Sequence, residues 1–256
     1  MLNQSLISKL NAVPGDIAIY IEDCETHEVF VKDCDNPLLA ASTIKLAVML
    51  AAFESFKRGI IDPNDVYTVK DSDKVPSCGA LTYMHSGLNV TYMDLVVLMI
   101  ILSDNTATNI LIEKIGMPFI NNTVQTYNIS GIQLRRKLFD AFAQSKGLEN
   151  TVSARSLALI LKLILDEKAV SADASKAMLK ILLNQRLNGK IPFYLHDKDI
   201  DIAHKTGEDD GISHDAGIIF AKHTIVAVFL SNNTYTPQFE RFIQDTSLWL
   251  CERLSD

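Results

Sequence analysis

The order of the periodic segments constrains the fold of this chain more than any single residue does. Residues 16–23 alternate apolar and polar side chains, and residues 28–32 follow after a short polar turn, which predicts an antiparallel hairpin. Strand patterns return only after Ile200, in three segments: residues 202–207, 215–222 and 224–231. Because an isolated hairpin is only marginally stable, we expect it to join the late strands in one antiparallel sheet.

The middle of the chain has helical periodicity. Apolar residues recur every three or four positions in five segments: residues 43–57, 91–102, 105–115, 118–127 and 153–167. Local residues mark some of the predicted helix ends. Thr91 followed by Asp94 is typical of a helix N-terminus, and Gly116 is typical of a helix C-terminus. A final amphipathic segment, residues 237–253, is predicted to cover one face of the sheet.

These patterns predict a mixed α/β (α+β) fold in two parts. An α/β domain, residues 1–38 and 192–256, contains an antiparallel sheet flanked by helices, and an all-helical domain, residues 39–191, is inserted between its halves. With 256 residues, 48% of them apolar, the chain is long enough to bury a full core. No low-complexity linker separates the parts, so we expect a shared interface with a cleft along it.

Charge and composition limit the partners that the chain can have. The formal net charge is −7 and the lysines are scattered, which disfavours binding to nucleic acid. Apolar runs such as residues 95–102 are too short to span a membrane. The four cysteines form no Cys-x-x-Cys pair, which argues against a zinc site. We expect a monomer that acts on a small molecule without a metal or another cofactor.

The N-terminal segment bears on the compartment. Its first fifteen residues lack the basic start and the long apolar stretch of a secretory signal. The chain as written is therefore expected in the cytoplasm, and it is expected outside the cytoplasm if an export signal was trimmed.

Three short motifs carry residues suited to acyl transfer. Ser42-Thr43-Ile44-Lys45 begins the first long helix, Ser103-Asp104-Asn105 lies between two helices, and Lys205-Thr206-Gly207 lies on a late strand. On a helix, residues three positions apart share a face, so the lysine amine of the first motif can reach the serine hydroxyl. A serine hydroxyl is a weak nucleophile and needs such a base nearby.

The predicted site follows from these residue types. Ser42 is the candidate nucleophile, and Lys45 is its candidate base if burial and a second cation, Lys205, lower the pKa of its amine. Ser42 also lies where a helix begins and backbone N–H groups have no helical partner. The backbone amides of Ser42 and Glu208 are the candidate donors of an oxyanion hole.

The ordered triple resembles class A β-lactamases and penicillin-binding proteins, in which the same three motifs occur. Residues 79–116 and 204–219 extend the likeness, which runs from about Asp16 to the C-terminus. The resemblance implies a β-lactamase/transpeptidase-like fold and β-lactam hydrolysis through an acyl-enzyme on Ser42. It further implies roles for individual residues: Ser103 passes a proton to the leaving nitrogen, Asn105 holds a substrate amide, and Lys205 with Thr206 and Gly207 binds the substrate carboxylate.

The chain departs from the class A pattern at two places. Class A enzymes carry a loop glutamate that activates the water releasing the acyl group, but Leu138 stands at that position here, with Asp140 and Glu149 as candidate stand-ins. The arginine that assists carboxylate binding is also missing, and residues 222–224, Lys-His-Thr, are expected in its region.

Three functions therefore remain open from the sequence. The first is β-lactam hydrolysis, and the second is a penicillin-binding protein or serine esterase that releases its acyl group slowly because the glutamate is missing. The third is a binding module that keeps the fold without catalysis.

Overall fold

A five-stranded antiparallel sheet, built from both ends of the chain, organises the protein. In this computed structural model, which describes residues 2–76 and 78–253, the sheet has the order β2-β1-β9-β8-β7. Its strands are β1 (Asp16–Asp23), β2 (Val29–Lys32), β7 (Asp201–Asp209), β8 (Ile212–Phe220) and β9 (Thr224–Asn232). Two further strand pairs are small: β3 (Leu38–Leu39) with β6 (Thr151–Val152), and β4 (Val66–Thr68) with β5 (Asn89–Thr91). The predicted sheet of early and late strands is thus confirmed.

Helices fill the middle of the chain and cover the sheet. They are α1 (Gln4–Ala12), α2 (Lys45–Lys57), α3 (Tyr92–Ile101), α4 (Asn105–Ile115), α5 (Met117–Thr126), α6 (Ala141–Ser145), α7 (Ala154–Leu165), α8 (Ala172–Leu183) and α9 (Thr236–Glu252). The N-terminal signal at Thr91 is confirmed, because its hydroxyl accepts from the backbone N–H of Asp94 while the Asp94 carboxylate accepts from that of Thr91.

Two hydrophobic cores lie on opposite faces of the sheet. On one face α7 and α8 contact the sheet, and α2 lies among the inserted helices with every residue from Lys45 to Phe53 buried. A helix buried on all sides can hold a polar residue only if its neighbours satisfy that residue. On the other face α1 and α9 cover the sheet, mainly through Leu6, Leu10 and Phe242.

The sequence did not predict α1, α6 or α8. Helix α1 buries only Leu6 and Leu10, and α8 buries only four of its residues, so neither has a wide apolar stripe that stands out from the sequence. The division at residues 38/39 and 191/192 stays a prediction, and residues 1, 77 and 254–256 of those ranges lie outside the described residues. Within the described part of the chain, no helix combines the length and the apolar character needed to cross a bilayer.

Candidate active site

The three motifs meet at one cavity between the sheet edge and the helices. The cavity has a volume of about 530 Å³ and is lined by Ser42, Ser103, Asn105, Thr206 and Glu208, among other residues. They come from three separate elements: a short turn before α2, the connection from α3 to α4, and the edge strand β7. The tertiary structure thus brings together residues that are up to 166 positions apart in the sequence.

Ser42 lies in a 3-10 turn, Ala41–Ile44, that leads directly into α2. This turn keeps the three-residue spacing of the first motif on one side of the chain, and Lys45 Nζ lies 3.0 Å from Ser42 Oγ. The turn also packs closely against β7, since a Cβ atom at Gly207 would come within 3.1 Å of Thr43 and 3.2 Å of His214. A side chain at position 207 would therefore push the turn that carries Ser42 and the strand apart.

Lys45 is fully buried, and oxygen atoms surround its amine. Besides Ser42 Oγ, Nζ lies 2.7 Å from the Ser103 carbonyl oxygen, 3.0 Å from Ser103 Oγ and 2.7 Å from Asn105 Oδ1. Burial, followed by the positive charge of Lys205, holds the pKa of Lys45 well below its usual value. A neutral amine fits these partners, because its two N–H groups can donate to the two carbonyl oxygens while its lone pair accepts a serine hydroxyl proton.

Lys205 links the strand motif to the loop motif. Its Nζ donates to Ser103 Oγ at 3.1 Å and to the Thr206 carbonyl oxygen at 2.8 Å. Burial lowers the pKa of Lys205 to about 7, and the Lys190 charge adds to this shift while Asp215 and Glu208 oppose it. Ser103 Oγ therefore lies between two amines, which is a geometry that can relay a proton.

Three residues that line the cavity have left-handed backbone conformations. Ala41, Ser103 and Phe139 have φ angles of 42°, 53° and 61°, respectively. Such a conformation costs a non-glycine residue on the order of 1–3 kcal/mol and persists only where its surroundings impose it. The strain lies next to Ser42, at Ser103 and on the loop, which supports a functional role for this cavity.

Asp104 joins residues 80 and 81 to the start of α4, a role that the sequence did not reveal. Its Oδ1 caps α4 by accepting from Ala107 N, and its Oδ2 accepts from the backbone N–H groups of Ala80 and Leu81. A Cβ atom at Gly79, which has a φ of 119°, would come within 2.4 Å of the Asp104 carboxyl group. The motif Ser-Asp-Asn followed by a helix signals the cap, but not the second contact.

Asn105 has a partner other than the one that the resemblance suggested. Its Oδ1 accepts from Lys45 Nζ, and its Nδ2 lies 3.4 Å from the Pro76 carbonyl oxygen. Asn105 therefore orients the amine of Lys45, while it still lines the cavity where a substrate amide is expected. Thr206 and Glu208 line the same cavity, with Thr206 buried and Glu208 largely exposed.

The loop between α5 and α7 closes the cavity opposite β7. Leu138 is fixed there by Asn109, whose Oδ1 accepts from Leu138 N at 2.8 Å and whose Nδ2 donates to Leu138 O at 2.9 Å. Asp140 caps α6 by accepting from Ala143 N. Glu149 lines the cavity and binds Arg136 Nη2 at 2.8 Å and Nε at 3.0 Å, so it closes the base of the loop. Both candidate carboxylates thus have structural partners, and an apolar side chain occupies position 138.

The expected location of residues 222–224 is wrong. Residues 222 and 223 lie in the turn between β8 and β9, and Thr224 begins β9. This turn, where His223 Nδ1 lies 2.9 Å from Asp23 Oδ2, is at the end of the sheet away from Gly207. The residue opposite Gly207 on β8 is His214. Its Nε2 donates to the Leu39 carbonyl oxygen and its Nδ1 accepts from Ser231 N, while burial lowers its pKa to about 4. His214 is therefore neutral near pH 7 and supplies no charge to the site.

Comparisons with known proteins agree with this fold and place the chain among related proteins. A family model described as the beta-lactamase enzyme family matches residues 2–254. The solved structure of a beta-lactamase from Sphaerobacter thermophilus is 28% identical, with a TM-score of 0.89 over 99% of this chain and 98% of that one. The structure of PBP-A is 24% identical, with a TM-score of 0.87 over 98% of this chain and 94% of that one.

A leucine-to-glutamate variant of PBP-A, described as an acyl-enzyme complex with penicillin G, is likewise 24% identical. Its TM-score is 0.85 over 98% of this chain and 93% of that one. At this identity the two PBP-A structures support the fold alone. No curated protein matches the sequence.

Proposed function

The chain belongs to the beta-lactamase enzyme family, and on that premise we propose that it is a serine enzyme that β-lactams acylate on Ser42 and that releases the acyl group slowly. The observation that carries the proposal is the amine of Lys45, buried 3.0 Å from Ser42 Oγ and held by two carbonyl oxygens. This arrangement favours a neutral amine that is ready to accept the serine proton.

Acylation would proceed in two proton transfers. Lys45 takes the proton of Ser42 as Oγ attacks the lactam carbonyl carbon, and the negative charge on the carbonyl oxygen is stabilised by backbone N–H groups, for which Ser42 and Glu208 are our candidates. The bond from the carbonyl carbon to the lactam nitrogen then breaks. Ser103, between the two amines, delivers a proton to that nitrogen and regains one from Lys45. Lys205 and Thr206 would bind the carboxylate of the substrate.

Release of the acyl group is the step that this site supports poorly. Hydrolysis needs a base within about 3 Å of a water molecule beside the ester. Leu138 stands where the class A resemblance places that base, and Asp140 and Glu149 are engaged in a helix cap and an ion pair.

A second candidate is efficient β-lactam hydrolysis. It is favoured by the 28% identical structure from Sphaerobacter thermophilus, which is described as a beta-lactamase. If the protein hydrolyses β-lactams efficiently, a group other than residue 138 activates the water. Of the carboxylates that line the cavity, Glu149 is the one nearest in sequence to Leu138.

A time course with benzylpenicillin tests both candidates. The intact protein mass and the free penicilloic acid are followed together, with Ser42→Ala as the variant and Ser5→Ala, on the exposed face of α1, as the matched control. We expect a penicilloyl adduct that forms on the wild type and on Ser5→Ala, persists for hours, and is missing from Ser42→Ala. Rapid turnover without a lasting adduct would support the second candidate, and acylation of folded Ser42→Ala would refute both.

A further inference from the structure

A buried cation lies directly behind the cavity wall, and the chain itself neutralises it. Lys190 Nζ binds Glu208 Oε1, and the Lys190 side chain is 3% exposed while that of Glu208 is 58% exposed. The carboxylate thus reaches this ammonium from the side of the cavity, which Glu208 lines and Lys190 does not. Glu208 therefore occupies the position from which an external anion would approach Lys190.

The charge of Lys190 acts on the strand motif, because it lowers the pKa of Lys205 while the charge of Glu208 raises it. The neighbouring chain is held rigidly, because Ile191 N donates to Asp215 Oδ2 and His204 Nδ1 lies 2.9 Å from Asp215 Oδ1. A buried ammonium in a fixed position beside Lys205 is suited to bind a carboxylate, but its own partner already supplies one.

The remaining charges around the cavity are mostly negative. The charged residues that line it are one cation, Arg136, and three carboxylates, Glu149, Glu208 and Asp209. Arg136 is matched by Glu149, and His214 is neutral near pH 7. Asp209 is exposed next to Glu208. A substrate carboxylate would therefore have Lys205 as its counter-ion. The neighbouring acidic residues would weaken the attraction between the two groups.

We propose that Glu208 determines specificity by occupying Lys190 with its own carboxylate, so that the site prefers acyl substrates without a carboxylate beside the leaving group. This proposal rests on the proposed function, since it concerns the substrate of the same serine. The preferred substrates are esters and amides whose leaving-group side is uncharged, and penicillins are acylating agents of reduced efficiency.

Two compounds that differ only in the relevant group test this preference. Benzylpenicillin and its methyl ester are compared by the second-order rate constant for acylation of Ser42, in the wild type and in Glu208→Gln. Removing the carboxylate charge opens Lys190 to an anion, so the ratio of the benzylpenicillin rate to the methyl ester rate should rise roughly tenfold or more, as a hydrogen bond to a charged group allows. The methyl ester rate also reports whether the variant remains folded and active.

Two further variants make the result specific. Asp210→Asn removes a charge from an exposed residue that does not line the cavity, and it should leave the ratio near the wild-type value. Lys190→Gln combined with Glu208→Gln should return the ratio toward the wild-type value, because the uncovered cation is gone.

The outcomes separate the specificity proposal from the proposed function. If the methyl ester and benzylpenicillin both acylate Ser42 but the ratio does not rise in Glu208→Gln, the specificity proposal fails and the proposed function stands. The specificity proposal also fails if the double variant keeps the rise or if Asp210→Asn reproduces it. If neither compound acylates the folded wild type, the proposed function fails and the specificity proposal fails with it.

Discussion

The two sides of the cavity use their polar groups differently. On the β7 side, the amines of Lys45 and Lys205 and the hydroxyls of Ser42 and Ser103 bind one another within 3.1 Å. On the loop side, the polar groups bind the backbone or each other to hold the loop in shape, as the pair of Arg136 and Glu149 does. The first arrangement leaves groups that can exchange protons, whereas in the second the carboxylates of Asp140 and Glu149 are engaged in a helix cap and an ion pair.

This difference suggests that the two halves of a hydrolytic cycle depend on different parts of the chain. In the proposed function, forming the acyl-enzyme needs only the buried group of amines and hydroxyls, whereas breaking it needs a base on the loop. An apolar Leu138, held from both sides by Asn109, would then leave acylation intact and slow the release of the acyl group. Four measurements test whether the two sides of the cavity act independently.

The largest effect is expected from the amine of Lys45. Lys45→Met removes the proposed base, and Lys45→Arg replaces it with a guanidinium that does not give up its proton. We expect both to slow acylation by about 10²–10⁴-fold, the usual contribution of a general base. The measurement is the rate of adduct formation with benzylpenicillin, with a thermal melt to show that each variant folds.

Lys57→Met, at the other end of α2, is the matched control and should acylate at the wild-type rate. A Lys45→Met variant that is folded and loses less than tenfold in rate would place the base elsewhere.

The pH dependence of acylation is the next largest effect. Since the pKa of Lys205 is lowered to about 7, its positive charge is lost as the pH rises through that value. Acylation by benzylpenicillin should therefore fall about tenfold for each pH unit well above 7. In Lys205→Arg the cation persists, so this alkaline decline should disappear over the measured range even if the rate is lower throughout.

The same shift has a consequence for stability. Between pH 7 and 10.5 the unfolded chain holds a proton on this lysine that the folded protein has lost, so this group makes the free energy of unfolding increase with pH over that window. An acylation rate that stays flat from pH 6 to 9 would show that Lys205 is not the substrate's cation or keeps its charge.

The loop side can be tested by adding a carboxylate at position 138. Leu138→Glu places a carboxylate at a backbone position that Asn109 already fixes, on a residue that lines the cavity with Ser42. We expect loss of the penicilloyl adduct to speed up by about tenfold, less than the 10²–10⁴-fold of an optimally placed base. Leu138→Gln has nearly the same shape without the charge and should keep the slow release. If the two variants lost the penicilloyl adduct at equal rates, the slow release would not be due to a missing base at position 138.

The smallest effect is expected from the pair at the base of the loop. Arg136→Met and Glu149→Gln should each lower the melting temperature by a few degrees, about 2–4 °C for each kcal/mol lost in a chain of this size. The double variant should lower it little further, because the two residues act through one contact. A deacylation rate that falls in Glu149→Gln but not in Arg136→Met would instead identify Glu149 as a catalytic base.

Much of the fold could be predicted because its signals are local. The bounds of β1 and α4 and the cap at Thr91 follow from alternation, helical spacing and side chains that bind the nearby backbone. Helix α1 was missed because two buried leucines give a weak pattern over nine residues. The error at residues 222–224 has another cause: which residue of β8 lies opposite Gly207 depends on the register between strands, and a periodic pattern does not specify register.

The order of the motifs, the three-residue spacing of Ser42 and Lys45, and the leucine at position 138 can be read from the amino-acid sequence alone. The pKa values and the charge partners of the lysines depend on the tertiary structure. The pKa of the Lys45 amine lies well below its usual value because burial and the charge of Lys205, 160 positions away, destabilise its charged form, and Glu208 neutralises Lys190 from the cavity side. A pKa depends on the solvent that the fold removes and on the charges that it brings close, and neither is a property of a residue or its neighbours along the chain.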